Sequence, residues 1–336
     1  TSLKSSYRRN GYNAAFPPIF HPFPPFPPVM RRPVFLLPLL LLAPLSLLAG
    51  LLFGSADLSA AEVIRALFGQ GADTTLAIVW QLRLPRVAAA FACGGLLALA
   101  GTLFQALLRN PLADPYILGV SGGAAVGALS AILFGLAVAL VNLAALFGAL
   151  AAIGLVFLLS RGGGAWDMHR LLLTGVVLSA GFGALISLLL ALAPLLETRG
   201  MLFWLMGDLS QAQSPGLAWA ALVAAAALAT ALAPRLDVLA LGELKARALG
   251  VAVLPLQGML YFVASAATAV AVMESGAIGF IGLVVPHGLR LAGIVGHRRL
   301  LPLAALTGGS VLTLADTLAR TVIAPQQLPV WVLTAL

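Results

Sequence analysis

Apolar runs long enough to cross a bilayer recur from residue 34 to the end of this chain, parted only by short polar breaks. That recurrence limits the fold more than any motif does. In hydrocarbon every backbone N–H and C=O must find a partner within the protein, so such runs form helices or the strands of a closed barrel. The strict alternation of barrel strands is absent, which leaves helices. At roughly 20 residues per span, about nine or ten helices fit. Only 9% of the 336 residues are charged and 61% are hydrophobic, whereas soluble domains carry about 25% charged residues. A soluble globule is excluded, and the expected class is an all-α, polytopic integral membrane protein.

The expected spans follow in order. The first is Val34 to Phe53. Ser59-Ala-Ala-Glu62 then reads as a capping box that opens a short outer helix ending at Gly69. The second span is Val87 to Leu108, and Arg109-Asn-Pro-Leu-Ala-Asp-Pro115 is a tight turn. A third starts near Tyr116. The fourth is Val138 to Leu159, the fifth Leu171 to Ala193, the sixth Leu217 to Leu232 and the seventh Pro255 to Met273. Gly276-Ala-Ile-Gly279-Phe-Ile-Gly282 interrupts the pattern before a shorter eighth. The ninth is Leu301 to Leu318. Leu328 to Leu336 begins a tenth and stops before completing it. Thr1 to Val29 stands apart: Pro17-Pro18, Pro24-Pro25 and Pro27-Pro28 leave no room for a helix. This leader is expected to be disordered or not native, with Met30 as the natural start and 30–336 as one transmembrane domain.

Basic residues orient the spans. The threading puts Arg109, Arg161, Arg170, Arg235, Lys245, Arg247, Arg290, Arg298 and Arg299 on the inner side with Arg31 and Arg32. It leaves Arg65, Arg83, Arg86, Arg199 and Arg320 outside. That bias is roughly two to one in favour of an inner N-terminus. The formal charge of +8 is spread over loops, so no nucleic-acid site is expected.

One charged island lies between the sixth and seventh spans, residues 236–251. Glu243 and Arg247 are four apart and share a helical face. Leu241, Leu244 and Ala248 share another, and Gly250 suits a helix stop. A linker needs neither an apolar face nor a stop; a docking element needs both. The coupling set read here is Leu241, Gly242, Glu243, Ala246, Arg247 and Gly250.

Chemistry of the chain's own is not visible. A phosphate-binding loop needs Gly-Lys-Ser/Thr, but Lys4 and Lys245 both follow leucine. His21, His169, His287 and His297 fall in different loops, which disfavours a metal site. Cys93 sits in an apolar run as a packing residue. Asp316 and Arg320 are spaced to pair.

The segments Leu82-Arg-Leu-Pro-Arg86, Arg109 to Pro115 and Leu118-Gly-Val-Ser-Gly-Gly123 resemble the FecCD permeases. These are the type II ABC importer permeases for iron-siderophores, haem and cobalamin. Leu171-Leu-Leu-Thr-Gly175, Phe203-Trp-Leu-Met-Gly207, Leu239-Ala-Leu-Gly-Glu243 and Gly276 to His287 extend the resemblance over residues 34 to 336. Gln327 and Trp331 stand where the family more often has Glu and Gly. The resemblance implies a ten-helix permease of the bacterial inner membrane, working as a homodimer. Two ATPase subunits would bind below, holding ATP and Mg, and a periplasmic binding protein would dock above. It implies a coupling role for the island and a binding-protein dock at Arg83, Arg86 and Arg320. It also implies an inner gate at Met168 and His169, in the junction Trp166 to Arg170. Among cargoes, haem is favoured because the expected path is mostly apolar; ferric siderophores and cobalamin stay open. The rival of another class is an ion-coupled secondary transporter, which needs intramembrane acids. Glu274 and Asp316, both near span ends, are the few on offer.

Overall fold

The computed structural model describes residues 36–162, 165–166, 168–212, 215–324 and 326–335. The proline-rich leader lies outside the described residues. The order is α1 (Leu36–Leu52), α2 (Ala60–Leu67), α3 (Asp73–Ala77), a π-helical stretch (Ile78–Arg83), α4 (Leu84–Leu108), a 3-10 turn (Pro115–Leu118), α5 (Val120–Leu133) and α6 (Val138–Ser160). A two-residue hairpin, β1 (Arg161–Gly162) and β2 (Ala165–Trp166), leads to α7 (Met168–Leu192) and α8 (Leu195–Leu205). Then come α9 (Gly216–Leu239), α10 (Glu243–Ala248), α11 (Val253–Ser275), α12 (Ile281–Leu291), α13 (His297–Thr321) and α14 (Val330–Ala335).

The all-α fold is as expected, but the spans are less uniform than the hydropathy suggests. Among the described residues, six helices are long and apolar enough to cross a membrane, and Leu37–Leu52, Val120–Leu133 and Ile281–Leu291 are shorter apolar helices. α5 is short because the chain ahead of it is consumed by the Asn110–Pro115 turn and by Gly119, which turns at φ 75°. Its 14 residues reach only about 21 Å at 1.5 Å per residue, less than the roughly 30 Å of hydrocarbon. α12 starts late for a similar reason: Gly276 and Phe280 both take positive φ. The second span, in contrast, continues upstream through the π stretch to Asp73, 36 residues in all. Pro85 carries no N–H to close an α-helical bond, and the wider π turn accommodates it.

The core is built around α4. In its most apolar window 94% of residues are buried, against 6% for α7. α13, α11, α12 and α9 surround α4, while α5 and α6 pack on each other. These approaches are close because glycine permits them. A Cβ on Gly94 would run into the carbonyl of Gly308, and one on Gly101 into the carbonyl of Gly282. Lipid supplies no hydrophobic drive between helices, so such small-residue contacts and the dispersion they allow hold the bundle. Hydroxyls inside it are spent locally: Thr102, Thr268 and Thr313 each donate to the carbonyl four residues back at 2.8 Å. Cys93 is buried and free.

Candidate functional site

At the inner end α9 continues past Pro234 to Leu239, so the first four residues of the expected island belong to that helix. Gly242 turns the chain at φ 105° and Gly250 at φ 80°, bracketing a six-residue α10. Glu243 organises this end. Its carboxylate accepts from Arg109 Nη2 at 3.1 Å and from Gln257 Nε2 at 3.1 Å. The anticipated partner Arg247 is the looser one, at 3.8 Å. Arg109 ends α4 in the left-handed region, φ 49°, which swings its side chain across to α10. The ion pair therefore ties α10 to the end of the central helix α4.

Ala246 is fully buried in the single chain and packs inward against the protein. Six residues make less than two turns, and the inward position of this short helix falls on Ala246. Leu241, Leu244, Ala248 and Leu249 point outward together with Lys245 and Arg247, and Leu244 is 85% exposed. Deeper on this side, Gln105 donates weakly to the carbonyl of Leu283 at 3.3 Å and accepts from Arg290. His297 at the start of α13 is held by Asp237 of α9, backbone N at 2.9 Å and Nδ1 at 2.6 Å. Asp114 caps the 3-10 turn by accepting from Tyr116 N at 2.7 Å, and burial pushes its carboxyl above the usual carboxylate range.

The opposite end gathers Arg83, Arg86 and Arg320 around one cavity of about 680 Å³, as the sequence placed them. They are not free surface cations, however. Arg83 and Arg320 are each only 4% exposed. Arg83 donates to the carbonyls of Leu51, Leu52 and Ala56 at 2.6–3.0 Å. Arg320 donates to Gly50 O at 2.5 Å. The physical reason is the end of α1: its last carbonyls have no intrahelical partner, and guanidinium offers five donors that also suit the helix dipole. Arg86 is clamped on Asp316, Nε at 3.0 Å from both oxygens and Nη2 at 2.8 Å from Oδ1. Its remaining arm reaches the exposed Gln327 at 3.0 Å. The expected Asp316–Arg320 pair is present but looser, at 3.7 Å.

For the inner gate, the hairpin β1–β2 precedes α7, and His169 and Arg170 are exposed on its first turn. The side chain of Met168 lies outside the described residues. Glu274 lines a second outer cavity of about 580 Å³ with Arg199, Phe203, Trp204 and Asp208. Among the described residues no three His, Cys, Asp or Glu side chains gather as a metal site would require. The sequence reading missed Arg109, Gln257, Gln105 and Asp237 as network members. A signal was there for the glutamines: a polar side chain inside an apolar helix is costly and calls for a partner.

A glycine-packed bundle of crossing and half-length helices, six of them among the described residues long and apolar enough to cross a bilayer, is a multi-pass membrane protein. The chain belongs to the FecCD transport family, whose family model matches residues 40–336. It is 40% identical over 307 residues to the hemin transport system permease protein HmuU of Yersinia pestis, covering 87% of this chain and 90% of that one. It is 42% identical over 267 residues to the cobalamin import system permease protein BtuC of Halobacterium salinarum, covering 79% and 72%. A metal-chelate type ABC transporter solved in an inward-facing conformation superposes with TM-score 0.80 at 32% identity, covering 90% of this chain and 96% of that one. The protein is thus the permease of an ABC importer in the inner membrane, a transport subunit rather than an enzyme. Membership implies a separate ATPase and a substrate-binding partner.

Proposed function

We propose that this permease works as a homodimer and carries haem. The observation that supports it is α7. Leu173, Val176, Val177, Leu185, Leu188 and Leu192 are all exposed in the single chain, and no charged residue stands between Arg170 and Glu197. Two facing copies of α7 form an apolar path suited to a large planar ligand and poor in charges to hold an anionic siderophore. Met168 and His169, at the inner end of α7, narrow that path. ATP and Mg act on the ATPase subunits, which seat the exposed Leu241 and Leu244 of α10 together with the Glu243–Arg247 face. The periplasmic binding protein docks above the cavity at Arg83, Arg86 and Arg320, with Arg86 as the arm nearest the surface. ATP does work here only if its two states differ in affinity for the inward- and outward-facing permease.

Cobalamin is the second reading, favoured by the similarity to the cobalamin permease. The test is uptake into proteoliposomes holding the permease, its ATPase and its binding protein, with haem, a ferric siderophore and cobalamin offered in turn. ATP-dependent uptake of haem alone supports the proposal; preferential uptake of either other ligand overturns it. In the same vesicles, Leu244→Asp is expected to weaken ATPase binding at least tenfold, and unchanged binding removes α10 as the dock.

A further inference from the structure

From the inner end of α9 we infer a seat for an anionic phospholipid of the inner leaflet, with Arg235 and Arg298 as its headgroup ligands. The inference rests on the chain spanning the membrane and is independent of the cargo. Along α9, residues 216, 217, 220, 223, 224, 227, 228, 231, 234 and 235 are exposed. Their spacing of three and four is that of a single helical face, apolar until it reaches Arg235. Two grooves flank this face near its inner end. A broad, open one of about 640 Å³ is lined by Ala226, Ala227, Thr230, Ala231 and Pro234 together with Arg298 of α13. A narrow one of about 240 Å³ lies against α11, with Leu232, Leu256 and Met259 as its apolar wall and Arg235 at its rim.

Three observations choose the occupant. The wall from Ala226 to Pro234 is about 12 Å long at 1.5 Å per residue, and its small side chains leave a shallow, open face against which an acyl chain can lie. Arg235 and Arg298 are exposed, and neither has an ion-pair or hydrogen-bond partner among the described residues. Both lie on the side that the positive-inside pattern makes cytoplasmic, where anionic headgroups gather and basic pockets between helices bind them. Asp237 stands close by, but its Oδ1 is engaged by His297, so it offsets only part of the positive field. A second copy of this chain is a poorer occupant, because it would bury two unpaired guanidinium groups, whereas α7 offers an uncharged surface. The narrow groove also includes Gly250, Val251 and Ala252. A lipid held there touches the link between α10 and α11 and can stiffen the coupling segment.

The test compares the purified full-length permease in nanodiscs of phosphatidylcholine with and without phosphatidylglycerol, counting retained lipid by native mass spectrometry. Wild type is expected to prefer phosphatidylglycerol by roughly tenfold to thirtyfold, the scale set by about 1 kcal/mol per arginine near the headgroups. Arg235→Gln with Arg298→Gln should bring the preference close to parity. Arg235→Lys with Arg298→Lys should restore most of it, which separates loss of charge from misfolding. Arg170→Gln, an inner arginine on α7, should leave it intact. Retention of the preference in the double glutamine variant, or an equal loss in Arg170→Gln, overturns the seat. So does displacement of phosphatidylglycerol by millimolar inorganic phosphate, which would make the site one for free anions.

Discussion

Asp316→Ala is the most informative single change at the outer end. Asp316 is 1% exposed and faces Arg86, whose side chain is 11% exposed, and Arg320, which is 5% exposed. The carboxylate compensates both guanidinium groups, and Arg320 Nε has no hydrogen-bond partner. Removing the acid leaves positive charge buried without compensation, which costs about 3–5 kcal/mol. At about 2–4 °C per kcal/mol, the midpoint of thermal unfolding in detergent should fall by about 6–20 °C. The control removes charge from both sides of the pair. Arg86→Met with Asp316→Ala should cost less than Asp316→Ala alone, because it leaves one buried guanidinium group without its carboxylate rather than two. Arg320 then keeps its bonds to Gly50 and Thr317. The assay is tryptophan fluorescence against temperature for wild type, both singles and the double, read as a mutant cycle with a coupling of about 2 kcal/mol. A midpoint for Asp316→Ala within about 2 °C of wild type, or effects that simply add, would refute the reasoning.

Glu243→Gln should leave stability within about 1 kcal/mol, because the Arg109 and Arg247 pairs are solvent-screened, yet cut ligand transported per ATP several-fold; unchanged coupling would make the network purely structural. At α2, the Ser59 hydroxyl and backbone N–H both bond Glu62 Oε2, at 2.7 and 2.8 Å, and hold its carboxyl below the usual range. A lowered pKa contributes stability above the unfolded value and loses it as pH falls through the folded value. Hydrogen-exchange protection of α2 should therefore drop on acidification below the ordinary glutamate range. Ser59→Ala should flatten that drop; protection that ignores pH would remove the cap as its cause.

Local hydropathy and turn chemistry made much of this protein legible along the chain. The apolar runs and their breaks dictated helices, and Ser59 with Glu62 the start of α2. Family-specific turns such as Arg109 to Pro115 supplied the permease class. What the sequence did not carry was which polar groups meet. Arg86 and Asp316 are 230 positions apart, and Arg109 and Glu243 are 134 apart. Their pairing depends on how α4 is enclosed by α13, α11 and α9, which glycine contacts such as Gly94 with Gly308 decide. For the same reason the caps that Arg83 and Arg320 provide for α1 were not legible along the chain: only packing brings the unpaired carbonyls at the end of one helix to guanidinium groups from elsewhere in the sequence.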